Sequence, residues 1–319
     1  MIQSVNNSVS DVKLIAEAIY NKSKLAFRYR WGQVSKQARY FAPAYRDFIL
    51  KVIKNNSLKI TDGHKESYTV DIDENESPSY KRKRKLKVVS DICDSDALPH
   101  ELGHAADFWF GRDISLSTTV LVDGNKTLYD VFAEEFEEKH EEIYEVVMNE
   151  YKHIIDSTIK EGAYQILSKK MPRYCLLLSI EPDLKDKRTT KERRGLQREL
   201  DESGFSEVYY QFVMKRCYQT LNTKYAPILD ALSARHNFNG FFLIQHSAEY
   251  YDLDDNRLVF EFFANLFGAK VTGKHAYVDH LIKYLPRSFN AFERLFVIFY
   301  DHIQNNKKFN DVKTKKGLN

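Results

Sequence analysis

The sequence predicts a mainly helical α+β fold with a small sheet in its N-terminal third. Apolar residues recur at helical spacing over several long stretches, whereas short β-type runs separated by turn residues occur only between about residues 47 and 73. The 319 residues are 43% hydrophobic and 29% charged, which is the composition of a folded globular chain rather than a disordered one.

The elements are expected in the following order. A first helix spans residues 10–28, with Ser10 as its cap. Short strands are expected in FILKVI, SLKI and YTVDI, because Asn-Asn and Asp-Gly turn signals separate these runs. Further helices are expected at about 127–163, 206–234, 255–268 and 288–304.

The segment ALPHELGHAADFWFG carries the strongest chemical signal. On a helix, His100 and His104 share one face, so both imidazoles can bind a single ion while Glu101 polarises a metal-bound water. Capping residues at 94–96 and Pro99 in the first turn predict that this segment is helical. The motif therefore indicates a zinc site.

A catalytic zinc ion needs a third protein ligand and one open coordination position. A histidine six residues after His104 would be one solution, but Phe110 stands there. The other candidates are Glu134 and Glu135, 30 and 31 residues after His104, and Glu261, which lies 157 residues downstream.

The residues around Glu261 favour this distant glutamate. Positions 261, 264, 265 and 268 are Glu, Ala, Asn and Gly, which form a stripe of small and polar residues at helical spacing. A helix with such a stripe can approach another helix closely and deliver its carboxylate to a metal. Glu134 and Glu135 lie instead in a cluster of seven glutamates, a pattern typical of a solvated helix face.

These segments resemble the catalytic domain of the anthrax lethal factor family of zinc metallopeptidases. The resemblance rests on HELGHAADFWFG, KTLYDVFAEEF, EFFANLF and LPRSFNAFERLFVIF, and DALSARHNFNGFFLIQHSAEYY is similar to lethal-factor-like domains of prophages and mobile elements. It implies a zincin-like fold in which a small sheet and the ligand helices flank the cleft. It also implies an extension at residues 1–35 and a metallopeptidase domain at 36–319 with a helical insertion at about 138–240.

The resemblance also implies roles for individual residues. The expected Zn2+ ligands are His100, His104 and Glu261. The expected catalytic residues are Glu101 as general base and Tyr250 or Tyr251 as donor to the oxyanion. Asp107, His246 and Asn265 are expected to hydrogen-bond the ligands or to contact substrate; the alternatives are a cap or a surface carboxylate for Asp107 and a structural, hydrogen-bonded histidine for His246. Asn265 replaces the second glutamate of the family's Glu-Phe-Phe-Ala-Glu motif.

The expected function is a zinc-dependent endopeptidase acting on a protein or peptide substrate, as a toxin or effector with an immunity or delivery partner. One alternative is a non-catalytic, zinc-containing interaction or virion-associated protein. The other is a nucleic-acid binder through the basic run at 81–87, although the net charge of +3 argues against nucleic acid. No signal peptide or membrane-spanning segment is evident, so cytoplasmic synthesis is expected, with export by a signal-independent route left open.

Overall fold

The computed structural model describes ten main stretches of the chain, together with a few positions between 191 and 198 and residue 314. These stretches are 2–22, 38–54, 58–63, 68–71, 84–89, 97–110, 115–161, 207–236, 256–273 and 277–305.

The described helices follow one another along the chain with three strands between the second and the third. The helices are α1 (Ile2–Lys22), α2 (Arg46–Lys54), α3 (Ala97–Asp107), α4 (Leu116–Thr119), α5 (Leu128–Glu161), α6 (Glu207–Arg235), α7 (Arg257–Thr272), α8 (Val278–Tyr284) and α9 (Pro286–Asn305). A 3-10 turn, Pro43–Tyr45, precedes α2. Among the described helices, none is both long and apolar enough to cross a membrane.

Three strands form a small backbone ladder. They are β1 (Leu58–Gly63), β2 (Tyr68–Asp71) and β3 (Arg84–Val89), in the order β1-β3-β2. β1 runs parallel to β3, and β2 runs antiparallel to it.

The predicted α+β, zincin-like fold class is wrong. The three strands are described by their backbone alone. In the part of the chain whose side chains are also described, 87% of the residues are helical and none lies in a strand. The described core residues accordingly come from helices and the short segments that join them. A layer of sheet is therefore not part of the described core.

The run FILKVI shows why the sheet was overestimated. It is expected to be a strand because turn residues separate it from the runs that follow, but it lies in α2. Phe48, Ile49, Val52 and Ile53 are all buried, and their spacing places them on one face of a helix. Packing of that face overrides the β preference of the individual residues.

The chain divides into two compact units. The first contains Met1–Ala133, Val259–His275 and Arg287–Asn319, and the second contains Glu134–Leu258 and Ala276–Pro286. The predicted boundaries at residues 35, 138 and 240 stay predictions. The helix of the histidine motif and most of the helix that carries Glu261 both belong to the first unit.

An aromatic cluster holds α2, α7 and α9 together in the first unit. The Phe48 ring lies 6.1 Å from Phe267, 5.7 Å from Phe296 and 5.7 Å from Phe299, centroid to centroid. Each such pair contributes roughly 0.5–1.5 kcal/mol beyond the burial of its apolar area. The cluster fixes α7, and so fixes the backbone from which Glu261 projects.

Candidate metal centre

Helix α3 places two imidazoles side by side. It begins at Ala97, so Pro99 lies in its first turn, as the sequence predicts. His100 and His104 lie one turn apart, and their Nε2 atoms are 3.2 Å from each other. The side chains of His100 and His104 are only 12% and 14% exposed.

Helix α7 brings the third candidate ligand to the same point. Glu261 is 2% exposed, and its Oε2 atom lies 3.2 Å from Nε2 of His100 and 3.5 Å from Nε2 of His104. One atom from each of the three side chains therefore lies close to the other two, although 157 positions separate Glu261 from His104 in the sequence. Of the competing glutamates, both of which belong to the second unit, Glu134 is exposed and Glu135 is buried.

Two glycines allow α3 and α7 to touch backbone to backbone. A Cβ atom on Gly103 would lie 2.7 Å from Cα of Ala264, and one on Gly268 would lie 3.3 Å from the backbone nitrogen of His100. The close approach expected from the small residues around Glu261 is thus confirmed. It is this approach that carries the carboxylate to the imidazoles.

The donor set fits a zinc ion. Zinc binds His nitrogen and carboxylate oxygen at about 2.0–2.2 Å in tetrahedral sites, so its ligand atoms lie roughly 3.3–3.5 Å apart. The three separations here are 3.2, 3.2 and 3.5 Å. Two imidazoles and one carboxylate supply three ligands and leave one position for water, as in catalytic zinc sites.

Asn265 orients the first imidazole. Its Oδ1 atom lies 3.2 Å from Nδ1 of His100, so the amide oxygen can accept the Nδ1 proton. That hydrogen bond leaves the lone pair of Nε2 pointing at Glu261 and His104, which is the tautomer that binds a metal. A role of Asn265 in holding a metal ligand stays a prediction.

Glu101 and Asp107 lie on the same helix in different surroundings. Glu101 is 4% exposed and follows His100 directly in the sequence, so α3 carries a buried carboxylate in the same helix as the two imidazoles. Asp107 is fully buried, and its two oxygens accept hydrogen bonds of 2.8 Å from the backbone N–H and the hydroxyl of Ser117. Asp107 therefore accepts hydrogen bonds from the first turn of α4, whose N-cap residue is Ser115.

Several predicted site residues lie outside the described residues. They are Tyr250, Tyr251 and His246. Sequence reasoning also missed a second His/Glu group, formed by His140, Glu141 and His236. No compact motif joins these residues, because 95 positions separate Glu141 from His236.

Comparison with protein-family models, with curated proteins and with solved structures gives no match for this chain.

Proposed function

We propose that the protein is a zinc-dependent endopeptidase. The observation that carries the proposal is the convergence of His100, His104 and Glu261 at separations that suit a tetrahedral zinc site. The buried carboxylate of Glu101 next to His100 adds the group that hydrolysis requires and that a purely structural site does not. The resemblance to the lethal factor family supports the same reaction.

Each side chain has a distinct part in this proposal. Bound zinc would supply a Lewis acid that polarises the scissile carbonyl and makes a water acidic enough to ionise near pH 7. Glu101 accepts a proton from the attacking water and returns it to the leaving amine. Asn265 keeps His100 in the required tautomer. Tyr250 and Tyr251 are the proposed donors to the oxyanion.

The proposed biological role is that of an effector or toxin acting on the proteins of another cell. This role rests on the similarity to lethal-factor-like domains of prophages and mobile elements. It implies a protein substrate and a delivery or immunity partner.

The substitution Glu101→Gln tests the proposed reaction. It removes the base but retains the shape of the side chain, so cleavage should fall by about 10²–10⁴-fold while zinc binding persists. Proteome-wide labelling of new N-termini, with wild type and variant added to the same extract, measures the difference. Glu17→Gln, a partly exposed change on α1, is the matched control and should leave cleavage unaltered.

Two results would contradict the proposal. Equal cleavage by the wild-type and Glu101→Gln proteins would show that Glu101 is not the general base. Zinc binding by the wild-type protein with no new N-termini in any extract would favour the non-catalytic, zinc-containing interaction protein instead.

A further inference from the structure

A second group of possible metal ligands lies in the second unit, on helices α5 and α6. His140 and Glu141 are on α5, and His236 directly follows the end of α6. One nitrogen from each imidazole and one oxygen of Glu141 all lie within 4.8 Å of one another. A tetrahedral site needs separations of roughly 3.3–3.5 Å, so small side-chain rotations would bring the three atoms onto one ion.

The imidazole of His140 lacks a hydrogen-bond partner on one side. This residue is 8% exposed, and its Nδ1 atom is buried without a hydrogen-bond partner among the described residues. Oε1 of Glu141 lies 3.5 Å from that nitrogen. Buried polar atoms nearly always have a partner, and a cation held between Nδ1 and the carboxylate would supply one.

Packing holds His236 against α5. The Tyr144 ring stacks on the imidazole of His236 with centroids 4.0 Å apart and planes 21° from parallel. Burial lowers the pKa of His236, an effect that nearby Glu141 partly offsets.

The charges around this group also favour a cation. Arg235 is the neighbouring positive charge on α6, and its Nη2 atom lies 2.8 Å from Oε1 of Glu137. The charge of this guanidinium is therefore paired with a carboxylate, which reduces its repulsion of a nearby cation. The side chain of Glu141 is 73% exposed, so water can reach the group and complete the coordination of an ion.

We propose that His140, Glu141 and His236 form a second site for a divalent transition-metal ion, which ties α5 to α6. Two imidazoles and one carboxylate suit Zn2+, Co2+ and Ni2+ better than Ca2+ or Mg2+, which prefer oxygen ligands. The role of this ion is structural, because it would join two helices within one unit. The proposal does not depend on the peptidase function.

The test uses the full chain carrying His100→Ala and His104→Ala, which removes the first ligand pair. Metal-free protein is titrated with Co2+, whose visible absorption reports ligand binding, and with Zn2+ in competition with a chromophoric chelator. We expect about one equivalent to bind. Adding Glu141→Gln should weaken binding at least tenfold, since even outer-shell changes cost 10–100-fold.

The control is Glu145→Gln, an exposed glutamate one turn further along α5, which should leave binding unchanged. Because Glu141 is exposed, its substitution preserves the fold and decides the question even if a change at buried His140 does not fold. The proposal is overturned if the protein lacking His100 and His104 binds no metal. Unchanged affinity in the Glu141→Gln variant would overturn it as well. Peptide cleavage does not enter either readout, so failure of this site is distinguishable from failure of the peptidase proposal.

Discussion

At the candidate metal centre, one residue differs from the motif of the lethal factor family that the sequence resembles. Asn265 has an uncharged side chain at the position where that motif has a glutamate. Its amide oxygen accepts from Nδ1 of His100 at 3.2 Å. A neutral acceptor makes a weaker hydrogen bond than a carboxylate does, so it raises the basicity of the imidazole less. The tautomer is therefore fixed by an interaction of moderate strength.

Substitution of Asn265 tests this positioning role. Asn265→Ala removes the acceptor, so zinc affinity at this centre should fall by about 10–100-fold. Asn265→Asp retains an acceptor and should match or exceed the wild-type affinity. Competition with a chelator, in a Glu141→Gln background that isolates this centre, gives both values. Wild-type affinity in the alanine variant would show that the amide does not orient the ring.

At the scale of secondary structure, the contact between α3 and α7 determines how close the ligand side chains of the centre lie to one another. Gly103 meets Ala264, and Gly268 meets the backbone of His100, so the two helices approach more closely than larger side chains would permit. The stability of this contact and the geometry of the ligands are therefore coupled.

Gly103→Ala should lower the stability of the contact between α3 and α7 and weaken zinc binding at the centre. The added methyl group would lie 2.7 Å from Cα of Ala264, which is backbone and cannot move aside, so overpacking should lower the free energy of unfolding by about 1–3 kcal/mol. Denaturant unfolding and a zinc titration measure the two effects.

The matched control is Gly195→Ala. A Cβ atom there would meet nothing within 4 Å, so the change should be neutral or stabilising by up to about 1 kcal/mol. Equal effects of the two substitutions would contradict the proposed contact.

Local patterns predicted the elements that carry the centre. The spacing of His100 and His104, with Pro99 ahead of them, predicts α3, and the small residues near Glu261 predict a close approach of α7. Other features depend on distant partners. Asp107 is engaged by Ser117, and FILKVI is helical because its face is buried by residues far along the chain. Neither partner can be identified from a single segment.

At the scale of the whole molecule, a bound ion should stabilise the folded chain. A ligand that binds only the folded state contributes about 2.7 kcal/mol when its concentration is 100 times Kd. For a protein of this size, we expect zinc to raise Tm by several degrees and a chelator to reverse the rise. Differential scanning calorimetry measures the shift.

Variants that lack ligands of one site show how much each site contributes to the zinc-induced rise in Tm. His100→Ala with His104→Ala should remove part of the shift, and Glu141→Gln should remove another part. A Tm that does not respond to zinc in the wild-type protein would contradict metal binding at both sites.

The separation of 157 positions between His104 and Glu261 has a consequence for biosynthesis. A nascent chain that has reached residue 258 already carries both imidazoles, but the carboxylate of Glu261 has not yet been translated. Until Glu261 is added, the two imidazoles lack the third member of the cluster. The order of synthesis thus delays assembly of this cluster until most of the polypeptide has been made.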